Sequence, residues 1–163
     1  MAGAVDYFLK ITGIDGESKD SKHKGEIEIY NWSFGHTQGG TMATGGGGGA
    51  GKVQAGDFNF TMKMSKASPK LFLAVATGEH FKTAIVVARK AGKEQQEFLK
   101  WTFTDLLVTS YQTGGSSTGD LVPVDQISMN FAKGEVEYKE QNDDGSLGGA
   151  IKAGYHYKEN KVV

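Results

Sequence analysis

The amino-acid sequence predicts a mainly β protein, built as a barrel-like pair of antiparallel sheets with one short α-helix. Apolar and polar residues alternate over most of the chain, which is the two-residue period of a half-buried strand. Glycine contributes 24 of the 163 residues, about twice its usual share. The chain also carries 9 Phe, 6 Tyr and 2 Trp residues, which is too aromatic for a disordered chain. The glycines therefore indicate turns between strands.

Length and composition predict one domain, residues 1–163, and exclude several classes of protein. The chain has no cysteine, which excludes thiol nucleophiles and cysteine-ligated metal centres. Its 18 basic and 19 acidic residues give a net charge of −1, without the basic field of a nucleic-acid-binding protein. No apolar run approaches the roughly 20 residues of a membrane span, and residues 1–6 lack the basic start of a signal peptide. We expect no nucleic acid partner, no membrane insertion and no cleaved signal peptide.

Strand patterns follow one another along the chain. The first predicted strand covers residues 5–11. The clearest covers residues 57–64, where Phe58, Phe60 and Met62 share one face and polar residues occupy the other. Further strands are predicted at 84–90, 97–110, 126–139 and 151–157.

The second predicted strand changes its parity midway. Alternation holds over residues 26–29 and then slips by one residue, which flips the faces of a strand. After the slip one face carries Tyr30, Trp32 and Phe34, and the other carries Asn31 and Ser33. We therefore predict a β-bulge near residues 29–30. A second change of parity around Gly134 predicts another bulge or a sharp bend.

One helix is predicted over residues 68–78. Ser68 is the expected N-cap, Pro69 suits the first helical position, and Gly78 suits the position after the end. The expected core-facing stripe consists of Leu71, Phe72, Val75 and Ala76.

Two glycine motifs resemble catalytic loops but lack the structure that the chemistry requires. Residues 46–52 match the phosphate-binding pattern G-x-x-x-x-G-K, yet Val53 stands where Ser or Thr would hold Mg²⁺ and a strand follows instead of a helix. Residues 115–119 match the nucleophile elbow of hydrolases around Ser117, with Asp125 and His156 following in triad order. No helix follows this serine either. We expect polar loops at both places and no catalytic residue.

No metal site or cofactor is expected. The histidines share no metal-ligand spacing; they are His23, His36, His80 and His156. The acidic turn at 140–145 has Ile151 where a calcium loop requires a bidentate glutamate. We expect solvated or capping histidines, and a solvated mixed-charge loop around residues 15–24.

Short strings spread over the whole chain resemble the haemolysin-coregulated protein (Hcp) family, the tail-tube subunits of bacterial type VI secretion. Each string is weak alone, but their order and spacing make the resemblance specific. The strings are DYFLKI at 6–11, GESKD at 16–20, WSFG at 32–35, TM at 41–42, GGGGGAGKV at 45–53, SPKL at 68–71, RKAG at 89–92 and NFA at 130–132.

The resemblance implies a tail-tube fold and a structural role without enzyme activity. Subunits of that family form hexameric rings that stack into a tube. A contractile sheath drives the tube, tipped by a spike protein, into a neighbouring cell. Small effector proteins travel inside the ring, which carries and chaperones them. The subunit is expected in the cytoplasm before firing and outside the cell afterwards, exported without a cleaved signal peptide.

Two groups of residues are candidates for these tasks. The long glycine-rich break at about 36–52 exceeds the length of most loops in compact domains, and we expect it to join stacked rings. Its candidate residues are Gly39, Gly40, Thr41, Met42, Gly45, Gly46, Gly47, Gly48, Gly49, Gly51 and Lys52. Asn31 and Ser33, opposite the aromatic face of the second strand, are the candidates for lining the lumen and contacting effectors.

Two other functions stay open at this point. The chain could be a monomeric β-barrel that binds a small ligand in an apolar cavity, although such barrels usually have eight up-and-down strands. It could also be a hydrolase built on Ser117.

Overall fold

The computed structural model describes residues 5–40, 42, 51–90, 94–119 and 121–163. In chain order its elements are β1 (Val5–Ile11), β2 (Ile27–Ser33), β3 (His36–Thr37), β4 (Gln54–Ala55), β5 (Phe58–Lys63), α1 (Ala67–Thr77), β6 (His80–Lys90), β7 (Glu97–Gly114), β8 (Val124–Gln141), β9 (Leu147–His156) and β10 (Lys161–Val162).

Six strands close into an antiparallel barrel. Their order is β8-β5-β2-β1-β6-β7, and pairing of β7 with β8 completes the circle. β9 and β10 extend the sheet beyond β8, while β3 and β4 form a separate two-stranded ribbon. The predicted mainly β, barrel-like fold with one short helix is confirmed. Among the described residues, no helix is long and apolar enough to cross a bilayer.

Side chains from alternate strand positions fill the barrel. Phe58, Phe60 and Met62 are at most 2% exposed, as the alternation over 57–64 predicts. They share one core with buried side chains of β7 and β8, among them Phe103, Leu106, Ile127 and Met129. Because the other face of β5 is exposed to solvent, apolar and polar residues alternate along this strand.

The predicted bulge in β2 is confirmed. The register between β2 and β5 shifts between Ile29 and Asn31, so Tyr30 is the extra residue. Trp32 then packs against the core, while Asn31 and Ser33 are exposed. The expectation that Tyr30 shares the face of Trp32 is wrong. Tyr30 is 56% exposed, because it continues the alternation of Glu28 and Ile29 and the slip comes only after it.

The change of parity predicted around Gly134 is present in β8, but no inserted residue produces it, and the irregularity is shared by β6, β7 and β8. The register from Leu99↔Tyr138 to Leu107↔Asn130 is unbroken, so no residue is inserted in β8. The ladders instead lack a pair at Asp105, which has φ +53°. Inward positions change parity here in β6, β7 and β8 together. Because Gly134 has no side chain, the ring of Phe131 can pack close to its backbone; a Cβ at this position would lie 3.4 Å from that ring.

Helix α1 begins two residues earlier than predicted, at Ala67 instead of Pro69. Lys66 is the N-cap and makes no side-chain capping bond; its backbone N–H donates to the Glu17 carboxylate at 2.8 Å. Ser68 is therefore not the cap, and its hydroxyl donates to the buried Asp125. The predicted end is confirmed by Gly78, which has φ +68° and donates its N–H to the Ala74 carbonyl.

The buried stripe of α1 differs from the predicted one. Leu71 is buried as expected and Val75 packs partly against the core. Phe72 is 62% exposed, and Ala76 is exposed too. The buried positions are Ala67, Ser68, Leu71 and Ala74. Their spacing of three and four residues is the ordinary helical stripe, so the predicted face is rotated by about one residue.

Arg89 of β6 fastens the 15–26 loop to the barrel. Its guanidinium is 2% exposed and donates to both oxygens of Asp20, at 3.0 and 2.8 Å, and to Asp6 at 3.1 Å. It also lies 4.7 Å from the centre of the Phe8 ring. Hydrogen bonds from Arg89 hold the pKa of Asp20 well below its ordinary value. Asp20, the aspartate of the GESKD string, is thus a structural partner of Arg89 and not a solvated charge.

His23 also holds this loop against the barrel. It is buried, so the expectation of a solvated histidine is wrong at this position. It is 5% exposed and stacks on Phe8 with ring centres 4.2 Å apart. Its Nδ1 lies 3.0 Å from Glu26 and its Nε2 lies 2.7 Å from Glu97. Among the described residues, no group of three or more His, Asp or Glu side chains is arranged to hold a metal ion.

Candidate functional site

One side of the barrel exterior carries uncharged polar residues on four neighbouring strands, β2, β5, β8 and β7. The strand registers align these residues in two rows across the sheet. The first row is Ser33, Asn59, Ser128 and Ser110. The second row is Asn31, Thr61, Gln126 and Gln112. We call these eight residues the polar face.

Strand alternation produces the polar face directly. Trp32, Phe60 and Ile127 lie between its members along the chain and point to the core. The next residue on either side therefore points outward. Besides the backbone ladders, a side-chain hydrogen bond joins β8 to β5 within the face, from the Ser128 hydroxyl to the Asn59 carboxamide.

The chemistry of the polar face is that of amides and hydroxyls. Each amide side chain offers two N–H donors and a carbonyl acceptor, and each hydroxyl both donates and accepts. None of the eight residues carries a charge. Contacts made by this face are therefore hydrogen bonds, direct or through water, and are little affected by ionic strength, which screens charges.

Charged residues stand at both ends of the polar face. At one end the Asp57 carboxylate accepts hydrogen bonds from Thr109 at 2.7 Å and from Asn130 at 2.9 Å. At the other end Lys63 and Glu28 line a common surface cleft. The uncharged surface is thus bounded along the strand direction.

Each flank of the polar face ends in a strand edge that has no partner strand among the described residues. β2 pairs with β1 through Ile29 and no further, so residues 31–33 pair with β5 alone in the described part of the chain. β7 pairs with β6 as far as Leu107, and residues 110–114 pair with β8 alone. At each flank a bulge lies where the strand leaves its barrel neighbour, at Tyr30 in β2 and at Thr109 in β7.

Asn31 and Ser33, the candidates from the sequence, lie together on the polar face. Sequence reasoning missed its other members, which are Asn59, Thr61, Ser110, Gln112, Gln126 and Ser128. The alternation over 57–64 already marks Asn59 and Thr61 as outward. The missing information was which strands are neighbours, because that pairing joins segments far apart in sequence.

The described part of the candidate stacking loop adjoins the β3–β4 ribbon. His36 pairs with Ala55 and Thr37 with Gln54. Beyond the ribbon, the Gly51 N–H donates to the Gly39 carbonyl at 3.3 Å. Gly40 and Lys52 are exposed, and Met42 is 83% exposed. The other candidates, Thr41 and Gly45 to Gly49, lie outside the described residues.

The residues of the possible hydrolase triad are engaged elsewhere. Asp125 is fully buried and accepts the Ser68 hydroxyl. Burial, reinforced by the nearby Asp125 carboxylate, raises the pKa of Tyr111. His156 Nδ1 accepts the backbone N–H of Glu159 at 3.1 Å. Asp125 therefore helps to fix the start of α1, and nothing in this geometry activates Ser117.

Comparison with known proteins gives consistent matches. The family model described as type VI secretion system effector, Hcp, matches residues 8–138. The protein hcp1 of Pseudomonas aeruginosa is 43% identical over 159 residues, which cover 96% of this chain and 98% of that protein. The crystal structure of Hcp1 from Salmonella typhimurium has a TM-score of 0.81 and 38% identity, covering 99% of this chain and 100% of that one. The structure of a type six secretion system protein has a TM-score of 0.93 and 31% identity, covering 98% and 100%.

Proposed function

This chain belongs to the Hcp family of type VI secretion system proteins, and from that premise we propose that it is a tube subunit with a structural, not catalytic, role. It forms homohexameric rings that stack into a tube. The tube is exported with the spike protein by the contractile sheath, and effector proteins ride in the ring lumen. The subunit is cytoplasmic before firing and extracellular afterwards.

The observation that carries the proposal is the four-stranded polar face with an unpaired edge at each flank. Unpaired edges are templates for pairing with another chain. The two edges belong to different strands, β2 and β7, so the contact between copies is heterologous. A heterologous contact forms a ring when its rotation closes.

Strand direction also favours a ring of identically oriented copies. The four strands of the polar face alternate in direction, so β2 and β7 run opposite ways. In the proposed ring, β7 of one copy pairs antiparallel with β2 of the next, and every copy keeps the same orientation. The polar face then continues from copy to copy as a single surface.

In this arrangement the polar face lines the lumen. Asn31 and Ser33 lie at the β2 flank, beside the junction with the next copy, and contact effector proteins there. An uncharged lining with both donors and acceptors suits cargo proteins of different sequence, because it repels neither sign of charge and satisfies polar groups of either kind.

The loop at 36–52 makes the contact between stacked rings. The β3–β4 ribbon pairs the two ends of the loop, and glycine allows close approach of one backbone to another. Ordering such a loop costs conformational entropy. Stacking is therefore weak in solution and strong once a tube has been nucleated.

A monomeric ligand-binding barrel is the alternative, and it needs an internal cavity. The interior is instead occupied by large side chains with almost no exposure, including Phe58, Phe60, Phe103, Met62 and Met129. A six-stranded barrel has little room beyond its own side chains, so the alternative has no observation in its favour.

Light scattering on a sizing column, with electron micrographs of the peak, tests the proposal. Six subunits of 17.5 kDa make a particle of 105 kDa, and we expect that mass together with a central hole. A uniform 17.5 kDa species at high concentration, with no ring-shaped particles, would reject the ring.

A further inference from the structure

We propose that the single-residue bulge at Tyr30 is the device that permits assembly, because it keeps the edge of β2 free for a second copy of the chain. This inference rests on the proposed ring and explains why the barrel does not seal its own edge.

Tyr30 is an insertion that the fold of β2 does not need. Ile29 points inward and Tyr30 outward, and Asn31 points outward again before Trp32 returns to the core. Without Tyr30 the order would be Ile29 in, Asn31 out, Trp32 in and Ser33 out. A chain lacking this residue therefore keeps every core side chain of β2 and every member of the polar face in place.

The bulge ends the pairing between β1 and β2 and leaves a gap between the two strands. Their last pair is Tyr7↔Ile29. The next residues of β1 toward the N-terminus, Asp6 and Val5, pair with β6 on one side and with no described residue of β2 on the other. A regular β2 would continue past Ile29 at the spacing of an antiparallel ladder and meet both residues. Asn31 and Trp32 would then pair with Asp6 and Val5, and this part of the β2 edge would be used within the monomer.

The β7 edge of a second copy is the occupant that fits the opened edge. β7 is antiparallel to β2 across the polar face, and its residues 110–114 are free on the side away from β8. This edge stays open for another reason: β6 begins at His80, directly after α1, and reaches only Leu107. Residues 110–114 of β7 therefore have no described partner strand on this side, with or without Tyr30, and the bulge at Tyr30 decides whether the edge of β2 is open too.

Deletion of Tyr30 tests the inference, with Tyr30→Ala as the matched control. Tyr30→Ala removes the exposed side chain but keeps the inserted residue, so we expect rings. The deletion variant should stay folded, with a wild-type far-ultraviolet circular dichroism spectrum, while its mass falls sixfold to 17.5 kDa. Rings from the deletion variant would overturn the inference. Absence of rings in the wild type would reject the proposed function itself.

Hydrogen exchange on wild-type rings provides a test that does not depend on folding of the deletion variant. In a strand, N–H groups point alternately to the two neighbours. Every amide from Asn31 to Ser33 should therefore be protected in rings, some by β5 and the others by the next copy. Rapid exchange of the amides on the side away from β5 would contradict the proposed pairing.

Discussion

For the substitution Asp105→Val, the structure and strand propensity predict opposite effects on the free energy of unfolding. Asp105 is exposed in the middle of β7 with φ +53°. By strand propensity, Asp105→Val should stabilise the protein by up to about 1 kcal/mol. A left-handed backbone costs a residue with a Cβ about 1–2 kcal/mol, and Asp and Asn tolerate it better than a β-branched residue does. We therefore expect Asp105→Val to lower the free energy of unfolding by about 1–2 kcal/mol.

Urea denaturation at one fixed protein concentration measures this effect, because assembly makes apparent stability depend on concentration. With a slope of about 2 kcal/mol/M, the middle of the usual range, the midpoint should fall by roughly 0.5–1 M. Asp105→Asn removes the charge and should change little. Lys82→Val, at an exposed position of the adjacent β6, should be neutral or stabilising. An Asp105→Val protein as stable as the wild type would refute our explanation of the parity change in β6, β7 and β8.

Four further predictions concern the loops and the lumen. Gly16→Ala should lower the melting temperature, because its Cβ would lie less than 3 Å from the Glu26 carbonyl, whereas Gly39→Ala, with nothing within 4 Å, should not. Arg89 lowers the pKa of Asp20 from its ordinary 3.8, so the ionised Asp20 stabilises the fold fully above that pH, and this stabilisation is lost as the pH falls through the folded-state pKa. The difference in unfolding free energy between the wild type and Asp20→Asn should therefore be constant above about pH 5 and shrink in acid. A difference that grows in acid would contradict this prediction. Ser33→Lys should reduce effector retention in rings of normal mass, and unchanged retention would remove Ser33 from the lumen. The double variant Gly47→Val and Gly49→Val should form rings but few tubes in electron micrographs, and normal tubes would reject the stacking role of this loop.

Sequence reasoning succeeded where the signal is local. Period-two alternation is visible within a few residues, so it located the two faces of β5 and the bulge at Tyr30. The C-terminal glycine of α1 is also a local signal, because Gly78 adopts a conformation that other residues avoid. These features depend on the residues themselves and their immediate neighbours.

The misses have physical causes beyond local sequence. The start of β6 was predicted at 84 and lies at His80, because Phe81 and Ala84 point inward on either side of the shared irregularity and break the alternation. The helix stripe was misplaced because packing on β7, not apolarity, decides which side of α1 is buried. The other members of the polar face were missed because strand order is a tertiary property.

The lack of charge on the polar face has a kinetic consequence. Neutral hydrogen bonds exchange readily with water, so one subunit alone should release an effector quickly. In the proposed ring the same weak contact would be repeated around the effector, and simultaneous engagement would multiply the time for which it stays bound. The loss of one subunit would shorten that time. Under the proposed function, the lifetime of the bound effector therefore depends on the integrity of the ring, and disassembly of the ring would release the effector.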